Sequence, residues 1–332
     1  MIVVDADVLG RGRTGDETYV ENLLRALAPL KGDLRIGAIA RNAALVPPGI
    51  EPLELSTRSQ ELRMAWSVPR LLRRLRPSVA HFVHSVPLRL PCPAVLTVQD
   101  LSFERDASLM GRKDRAVFRA VVPRSVRRAA RVLAISERTK RDLVELYGVP
   151  EEKVVVTPLG VDPAFRPGAD GRGTYLLFVG AIQDRKDPLA AAAAASSLGL
   201  PLIAVGPEKD RALAEQLRVA GVDVRGYVPK DELARLYRDA AALVLPSRYE
   251  GFGLPVVEAM ASGTPVVAAP DEALQEVAGD AAVFAPPEEL AAGVERALAD
   301  RARLIAAGLE RARRFTWEET ARRTLRVYRE LL

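Results

Sequence analysis

Cysteine and histidine are almost absent from this chain of 332 residues, which has one cysteine, Cys92, and two histidines, His81 and His84. A single cysteine cannot form an internal disulfide, and these three residues cannot build a zinc site of four Cys and His ligands. This composition fits a reducing compartment. We therefore expect a cytoplasmic protein without a structural disulfide or a Cys/His metal cluster.

Long apolar runs are missing too. No run reaches the roughly 20 residues that a membrane-spanning helix needs, and Asp5 interrupts the first apolar run too early for a signal peptide. We expect a chain that is neither exported nor integral to a membrane. The hydrophobic content of 48 % and the charged content of 27 % are those of an ordinary folded protein.

Aromatic residues make up only 5 % of the chain, while basic residues concentrate in its first half. Residues 57–131 hold sixteen Arg or Lys against five Asp or Glu. Aromatic side chains are too few to supply base-stacking platforms along this basic segment. We therefore expect no nucleic-acid partner. Two interpretations stay open: peripheral contact with an anionic membrane at its inner face, or a general composition bias, since 41 of the 48 basic residues are arginine.

Apolar runs alternate with helical stretches along the whole chain, which predicts βαβ units and parallel sheets. In the first half, the predicted strands are 2–6, 34–40, 79–83, 94–98, 131–135 and 153–156, and the predicted helices are 16–30, 59–76, 109–129 and 137–147. In the second half, the predicted strands are 175–180, 201–205, 222–225, 241–245, 265–269 and 281–284.

Prolines and glycines break this alternation at residues 157–174, which we interpret as a domain linker. Two doubly wound domains, each with ligands at the carboxyl ends of its strands, would then follow one another. We predict an N-terminal domain over residues 1–160, a C-terminal domain over 161–315 and a final helix over 316–332.

The most informative segment is the string of residues 246–261, PSRYEGFGLPVVEAMA, which places two carboxylates eight residues apart. Glu250 falls in the loop after a strand, and Glu258 falls about one turn inside the helix that Pro255 begins. Gly251 and Gly253 allow backbone N–H groups to approach a ligand, and the helix N-terminus favours an anion. The alternative is that these acids only complement the helix dipole.

This string resembles the donor-site signature of glycosyltransferase family 4, the retaining nucleotide-sugar transferases of GT-B fold. The resemblance covers nearly the whole chain and is strongest over residues 175–270. It implies two Rossmann-like domains that face a central cleft, with a C-terminal helix that crosses back to the first domain. It implies that Glu250 and the backbone of Gly251, Phe252, Gly253 and Leu254 bind the donor sugar, and that Glu258 holds the ribose.

Two adjacent cations, Arg185 and Lys186, follow the strand 175–180 and a glycine turn, and we place them at the start of a helix. Paired cations suit a diphosphate leaving group, although such a pair is often only a surface feature. They resemble the phosphate-binding Arg/Lys segment of the family. Many relatives have Arg where this chain has Ala181, which leaves Arg185 to serve in its place.

The first loop, Gly10 to Tyr19, joins the first strand to the first helix, where backbone N–H groups near Gly15 can face a phosphate. A dinucleotide-binding fingerprint is disfavoured, because no acid ends a second strand near position 35. The loop is more similar to the family's glycine loop before an Asp/Glu-Thr-Tyr helix start.

After the strand 94–98, this chain reads Gln99-Asp100 where many relatives of the family read His-Asp. Gln99 can hydrogen-bond a sugar hydroxyl but cannot take a proton. Asp100 is a candidate for orienting the loop or binding acceptor hydroxyls, or is a turn residue. The alternation of a strand argues against a His81–His84 dyad, so we expect one buried structural histidine and an acceptor contact for His84.

The combined prediction is a retaining hexosyltransferase that moves a mannose- or glucose-type sugar from a nucleoside diphosphate sugar to a hydroxyl acceptor. The acceptor is a glycan, a lipid-linked or a small molecule, and we expect neither a metal nor another cofactor. Glu250, Lys186, Arg185 and Asp100 are the candidate catalytic residues. Two alternatives stay open: a non-catalytic nucleotide-sugar sensor or partner subunit, and a sugar-nucleotide epimerase of the same fold.

Overall fold

The computed structural model describes residues 1–12, 14–105, 111–168 and 173–332. The chain divides into two compact units. The first unit contains Met1–Gly160 together with Trp317–Leu332, and the second contains Val161–Thr316. Residues 109 and 110 of a predicted helix, and residues 169–172 of the predicted linker, lie outside the described residues.

The first unit is a parallel α/β layer structure with a sheet of seven strands. Its strands are β1 (Ile2–Asp5), β2 (Ile36–Ala40), β3 (Glu51–Glu54), β4 (Val79–Val83), β5 (Ala94–Val98), β6 (Arg131–Ala134) and β7 (Val154–Val156). Its helices are α1 (Thr14–Leu30), α2 (Gln60–Leu62), α3 (Val68–Leu75), α4 (Ser102–Arg105), α5 (Arg112–Arg128), α6 (Glu137–Tyr147) and, from the chain end, α14 (Trp317–Glu330).

The strand order of this sheet is β3-β2-β1-β4-β5-β6-β7, which is a doubly wound arrangement. The six predicted strands are present, and the prediction missed β3. The sequence of β3, EPLE, is largely exposed and pairs only with β2 at the sheet edge, so it has no apolar run to signal a strand. The predicted helix 59–76 is a composite, because a π-helical turn over Arg63–Ser67 separates α2 from α3.

The C-terminal helix α14 belongs to the first unit, as the family resemblance implied. It packs along α1, and its Tyr328 is fully buried. The hydroxyl of Tyr328 lies 2.6 Å from Nδ1 of His81 in β4. The chain end therefore contributes to the core of the unit in which the chain begins.

The second unit has a parallel sheet of six strands in the order β10-β9-β8-β11-β12-β13. These strands are β8 (Leu176–Val179), β9 (Leu202–Val205), β10 (Asp223–Val224), β11 (Ala242–Leu245), β12 (Val266–Ala268) and β13 (Val283–Phe284). The helices are α7 (Pro188–Ser197), α8 (Arg211–Val219), α9 (Lys230–Asp239), α10 (Leu254–Ala261), α11 (Glu272–Ala278), α12 (Leu290–Ala299) and α13 (Arg301–Ala312).

All six strands of the second sheet fall inside the predicted segments. Strands β8, β9 and β11 are completely buried, which is why they read as continuous apolar runs rather than as alternating ones. Their carboxyl ends lead into the turns that carry most of the predicted site. None of the helices among the described residues is both long and apolar enough to cross a lipid bilayer.

Candidate functional site

The turn after β8 holds the two predicted phosphate-binding cations. Arg185 and Lys186 lie in a 3-10 turn, Asp184–Lys186, and α7 begins only at Pro188. Asp187 lies between this turn and α7; it has a φ of 47°, in the left-handed region, and ends the turn. The prediction that these cations begin the helix is therefore wrong: the proline fixes the first helical turn beyond them.

Lys186 and Glu250 form a buried ion pair, with Nζ of Lys186 on Oε1 of Glu250. The two residues keep only 9 % and 6 % of their surface exposed. Burial alone would raise the pKa of Glu250, but the charges of Lys186 and Arg185 together with the hydrogen bond from Lys186 act against it, and the pKa is lowered. Glu250 is therefore a carboxylate at neutral pH, and its two oxygens act only as hydrogen-bond acceptors.

Arg185 joins the same turn to the loop that carries Glu250. Its Nη1 donates a hydrogen bond to the carbonyl of Tyr249 over 2.7 Å, and the N–H of Arg248 donates to the carbonyl of Arg185 over 3.0 Å. The structure thus brings Arg185, Lys186 and Glu250 together from segments that are more than 60 residues apart. The resulting group has two cations and one anion.

The glycine turn Gly251–Gly253 leads directly into α10, which begins at Leu254 with Pro255 in its first turn. Gly253 has a φ of 100°, and a Cβ at this position would lie 2.5 Å from Cδ2 of Leu274. Only glycine fits this combination of backbone and neighbour. The first N–H groups of a helix have no intrahelical acceptor, so the start of α10 at Leu254 is a site that favours an anion.

Asp271, which sequence reasoning missed, supports this turn from α11. Its Oδ2 accepts a 3.4 Å hydrogen bond from the backbone N–H of Glu250, and its Oδ1 accepts one of 2.9 Å from Ala273. Asp271 is therefore both the N-cap of α11 and a support for the Glu250 loop. The N-cap was readable from the Asp that follows Pro270, but the contact with Glu250 was not.

Glu258 lies inside α10, as predicted, and is held by Tyr237 of α9. The Tyr237 hydroxyl donates a 2.8 Å hydrogen bond to Oε2 of Glu258. Burial raises the pKa of Glu258 to about 7, and the hydrogen bond from Tyr237 acts in the opposite direction. Sequence reasoning missed Tyr237, because a tyrosine on the apolar face of a helix gives no signal of a polar contact.

Two glycines let the turns after β8 and β9 pack against each other. A Cβ on Gly206 would lie 2.0 Å from the carbonyl oxygen of Gly180, and the N–H of Gly206 donates to the carbonyl of Gly226 over 2.7 Å. The two backbones are therefore in direct contact beside the turn that carries Arg185 and Lys186. No other residue type fits at position 206 without displacing this turn.

In the first unit, Gly15 and Gln99 are neighbours. The helix α1 begins at Thr14, so Gly15 lies in its first turn rather than in the preceding loop as predicted. A Cβ on Gly15 would lie 3.5 Å from Oε1 of Gln99. Nε2 of Gln99 is buried and has no hydrogen-bond partner among the described residues, so a donor amide remains available at this point.

Asp100 is engaged in a local turn. Its Oδ1 accepts hydrogen bonds from the backbone N–H of Ser102 over 3.1 Å and from the Ser102 hydroxyl over 2.9 Å. This arrangement is the turn role that was weighed for Asp100 from the sequence.

The two histidines have separate environments, as predicted. His81 is 1 % exposed in β4 and its Nε2 lies 2.7 Å from Oγ1 of Thr97. His84 follows the strand end with a φ of 60°, and its Nε2 lies 3.1 Å from Oδ1 of Asp16 in α1. His84 is therefore the histidine at the carboxyl edge of the sheet.

Sequence reasoning also missed a cluster of charged residues at the end of β1. Arg63 is fully buried and forms a bidentate pair with Asp5, and its Nε lies 3.3 Å from Oδ1 of Asp7. Asp7 also pairs with Arg41 over 2.7 Å and with Arg11 over 2.8 Å. Among the described residues, no group of three or more His, Cys, Asp or Glu side chains is arranged to hold a metal ion.

Two family models match the chain, one on each half. The model "Glycosyltransferase Family 4" matches residues 13–165, and the model "Glycosyl transferases group 1" matches residues 164–316. The second match contains Arg185, Lys186, Glu250 and Glu258. Together the matches cover nearly all of both units.

Curated relatives carry transferase names. The chain is 30 % identical to O-antigen chain mannosyltransferase B of Escherichia coli over 230 residues, 60 % of each protein. It is 36 % identical to D-inositol 3-phosphate glycosyltransferase of Acidothermus cellulolyticus over 58 % of this chain and 51 % of that protein. The matched segments thus span between half and three fifths of these two relatives. The chain is 32 % identical to D-inositol 3-phosphate glycosyltransferase 1 of Catenulispora acidiphila, over 72 % of this chain and 67 % of that protein.

Solved structures share the fold over the full chain. Sucrose-phosphate synthase from Thermosynechococcus elongatus superposes with a TM-score of 0.80 at 21 % identity, covering 99 % of this chain and 98 % of that one. Anabaena Alr3699/HepE in complex with UDP-glucose superposes with a TM-score of 0.77 at 16 % identity, covering 99 % and 100 %. At these identities the likeness shows the fold, two Rossmann-like domains of GT-B type, as the sequence predicted.

Proposed function

The chain belongs to glycosyltransferase family 4, and we propose that it transfers a hexose from a nucleoside diphosphate sugar to a hydroxyl acceptor with retention of anomeric configuration. The observation that carries this proposal is the buried Lys186–Glu250 pair beside Arg185, at the turn that begins α10. This part of the second unit combines a carboxylate suited to sugar hydroxyls, two cations suited to a diphosphate and a helix N-terminus.

Departure of the diphosphate is the step that this group would assist. The bond between the anomeric carbon and the phosphate oxygen breaks, and negative charge develops on the leaving phosphate. Arg185 and Lys186 would stabilise that charge, and Glu250 with the N–H groups of Phe252, Gly253 and Leu254 would hold the sugar hydroxyls. Supporting this role, Lys186 is held by Glu250 in a buried position before any ligand arrives.

The acceptor's proton needs a base, and Gln99 cannot serve as one. In a front-face mechanism, the acceptor oxygen attacks on the face that the phosphate leaves, and its proton passes to the leaving phosphate oxygen. The new bond between the anomeric carbon and the acceptor oxygen then has the original configuration. The role proposed for Gln99 is a hydrogen bond from its buried Nε2 to a hydroxyl of the transferred sugar.

For Glu258, we propose contact with the ribose hydroxyls of the nucleotide. Its carboxylate is oriented by Tyr237, which leaves Oε1 for a ligand diol. Because Arg185 and Lys186 supply positive charge at the diphosphate, we propose that transfer needs no metal ion.

The names of the relatives support a mannose- or glucose-type donor and a UDP-type nucleotide as the first candidates to test. The acceptor would be a hydroxyl on a glycan, a lipid-linked sugar or a small phosphorylated polyol. His84 and Asp100, at the carboxyl edge of the first sheet, are the side chains proposed for contact with it.

The first test is a thermal-shift panel of UDP-, GDP- and ADP-sugars with a chelator present. A ligand that binds the folded state raises the unfolding midpoint as RT ln(1 + [L]/Kd). A selective shift followed by slow release of nucleoside diphosphate supports the transferase. Binding without release, even with acceptors supplied, would indicate a nucleotide-sugar sensor, and recovery of an isomerised donor would indicate an epimerase.

Variants of the ion pair then test the site itself. Lys186→Ala and Glu250→Ala should each reduce turnover by about 100-fold or more, because each removes a group that stabilises charge or fixes the sugar. The matched control is Lys209→Ala, which removes an exposed lysine of the same unit. Wild-type turnover in either site variant would refute the assignment.

A further inference from the structure

Among the described residues of the first unit, eight large apolar side chains are exposed, and four of them lie on α2, the π-helical turn after it and α5. Leu62 and Trp66 are 63 % and 62 % exposed, and Val117 and Val121 of α5 are 58 % and 37 % exposed. Tryptophan has a large apolar surface, so leaving Trp66 exposed gives up much of the free energy that its burial would contribute. Exposed apolar groups that lie together mark an interaction surface.

The position of Trp66 is fixed rather than accidental. It lies in the π-helical turn Arg63–Ser67 between α2 and α3, and Arg63 at the start of this turn is fully buried. The Arg63 guanidinium pairs with Asp5 at the end of β1 and with Asp7. This anchor holds the inner side of the turn on the sheet, while Leu62 and Trp66 face outward.

The apolar residues of α5 lie at the same edge of the sheet. Val117 and Val121 are one helical turn apart, on the side opposite to the buried Val122 and Val126. Phe118, next to Val117, has its ring 6.0 Å from the ring of His84, directly after β4. Both exposed pairs therefore flank the carboxyl edge of one sheet, Leu62 and Trp66 near β1 and Val117 near β4.

The helices behind these pairs share one sheet face. Val68 and Leu72 of α3 and Val122 and Val126 of α5 belong to a single core cluster. Both helices therefore cover the same face of the sheet, and their exposed residues lie on the solvent side of that layer.

Cations surround these apolar residues, and acids are rare. Residues 60–76 contain five Arg and one acid, and residues 112–128 contain seven Arg or Lys and one acid. Arg70, Arg74 and Arg124 are exposed, and none pairs with a carboxylate in the part of the chain that the structure describes. Elsewhere, exposed arginines such as Arg25 and Arg322 pair with a glutamate one helical turn away.

We propose that this surface docks on an anionic lipid bilayer. We name it the lipid-facing surface and define it by Leu62, Trp66, Val117, Val121, Arg70, Arg74 and Arg124. The apolar side chains would enter the boundary between headgroups and acyl chains, and the guanidinium groups would remain among the anionic headgroups. Charge complementarity favours this occupant over a zwitterionic membrane or an acid-poor protein.

Bilayer docking would bring the carboxyl edge of the first sheet close to the membrane. If the proposed function holds, an acceptor sugar carried on a lipid would then be within reach of His84 and Asp100. The lipid contact itself depends on no donor and no turnover, so its test is independent of the transferase proposal.

Tryptophan fluorescence measures the docking directly. The chain has two tryptophans, and the other, Trp317, is 7 % exposed. With vesicles that contain phosphatidylglycerol, the emission of Trp66 should shift to shorter wavelength, and added salt should reverse the shift. Vesicles of phosphatidylcholine alone should leave the emission unchanged. The variant Trp317→Phe confirms that the signal comes from Trp66.

Charge variants provide the quantitative test. Each cation near an anionic surface contributes about 1 kcal/mol, so Arg70→Gln with Arg74→Gln should weaken partitioning into these vesicles about 30-fold. The matched control is Arg235→Gln with Arg296→Gln, which removes two exposed arginines of the second unit. Leu62→Ser with Val117→Ser, checked for folding by circular dichroism, should also weaken binding in vesicle sedimentation.

Two results would overturn the proposal. One is equal partitioning into vesicles with and without phosphatidylglycerol. The other is an equal loss of partitioning when the control pair, Arg235 and Arg296, is replaced instead of Arg70 and Arg74. The attraction would then follow from the overall arginine content rather than from this surface. A surface that serves a protein partner instead would leave Trp66 emission unchanged in both lipid mixtures, which also counts against lipid docking.

Discussion

The Tyr237 hydroxyl donates a hydrogen bond to Glu258, with 2.8 Å between the two oxygens. Tyr237 is fully buried, its ring meets that of Phe165 edge-on at 5.6 Å, and its carbonyl accepts a 2.6 Å hydrogen bond from the Thr264 hydroxyl. The tyrosine is thus held at its ring and at its backbone. It acts as a positioning residue that fixes the carboxylate proposed to bind ribose.

Tyr237→Phe should weaken nucleotide binding and leave the chemical step intact. The variant keeps the ring packing and loses one hydrogen bond to a charged group, worth roughly 1.5 kcal/mol, so the Kd for the nucleoside diphosphate should rise about tenfold. The value of kcat should change little. Isothermal titration and steady-state kinetics measure the two effects. A reduced kcat with an unchanged Kd would assign Tyr237 a different role.

The pH dependence of nucleotide binding should report Glu258. Burial raises the pKa of Glu258 to about 7, so the carboxylate is lost as the pH falls through this value and binding should weaken on the acid side. Glu258→Gln should bind weakly at every pH and lose this dependence. In Tyr237→Phe the midpoint should move to higher pH, because the hydrogen bond from Tyr237 lowers the pKa. An equal midpoint in the wild type and in Tyr237→Phe would contradict the effect of the Tyr237 hydrogen bond on the pKa of Glu258.

Much of the fold was predictable because buried parallel strands have a strong apolar signal. The second sheet was predicted in full, while β3 was missed because an exposed edge strand shows neither apolar alternation nor an apolar run. The π-helical turn at Arg63 was missed for a different reason. It depends on an ion pair with Asp5, 58 residues away, that no local pattern encodes.

The site was predictable where the chemistry lies in one segment. Glu250, the glycine turn and Glu258 are close in sequence, so their relation followed from one helix start. Asp271 and Tyr237 act on that segment from other helices, and each has an ordinary local role, one as an N-cap and one in a helix core. Contacts of this kind follow from the tertiary structure alone.

Gly253→Ala should abolish nucleotide binding by displacing the glycine turn Gly251–Gly253, an effect larger than the backbone strain of a positive φ alone would cause. Gly253 has a positive φ, and an added Cβ would lie 2.5 Å from Leu274. Gly199→Ala is the matched control, because Gly199 also has a positive φ but its Cβ would meet nothing within 4 Å. Gly199→Ala should cost roughly 1 kcal/mol of stability and leave nucleotide binding unchanged, whereas Gly253→Ala should lose binding. Equal binding by the two variants would show that the turn tolerates displacement.

Lys186→Met should destabilise the second unit as well as reduce activity. It leaves the buried Glu250 carboxylate without its partner, which typically costs about 3 to 5 kcal/mol. In the wild type, the lowered pKa of Glu250 means that the pair stabilises the fold at neutral pH, and that this stabilisation is lost as the pH falls through the lowered pKa. Adding Glu250→Gln to Lys186→Met should restore stability but not activity, which denaturant unfolding and turnover assays distinguish.

A buried chain of hydroxyl groups and one imidazole gives the last prediction. Tyr19, Thr97, His81 and Tyr328 are linked by contacts of 2.6 to 2.8 Å and join α1, β5, β4 and α14. Burial lowers the pKa of His81 to about 3, so the folded protein keeps this imidazole neutral while the unfolded chain binds a proton below about pH 6.5. The first unit should therefore lose stability as the pH falls below that value.

The slope expected for one proton is about 1.4 kcal/mol per pH unit. His81→Gln should remove this slope between pH 6 and 4, in a comparison with the wild type that cancels the other titrating groups. Both tryptophans, Trp66 and Trp317, belong to the first unit, so tryptophan emission reports unfolding of this unit separately from the second. If wild type and variant had parallel stability profiles, His81 would have to be charged in the folded state, with both ring nitrogens donating hydrogen bonds, to Thr97 and to Tyr328.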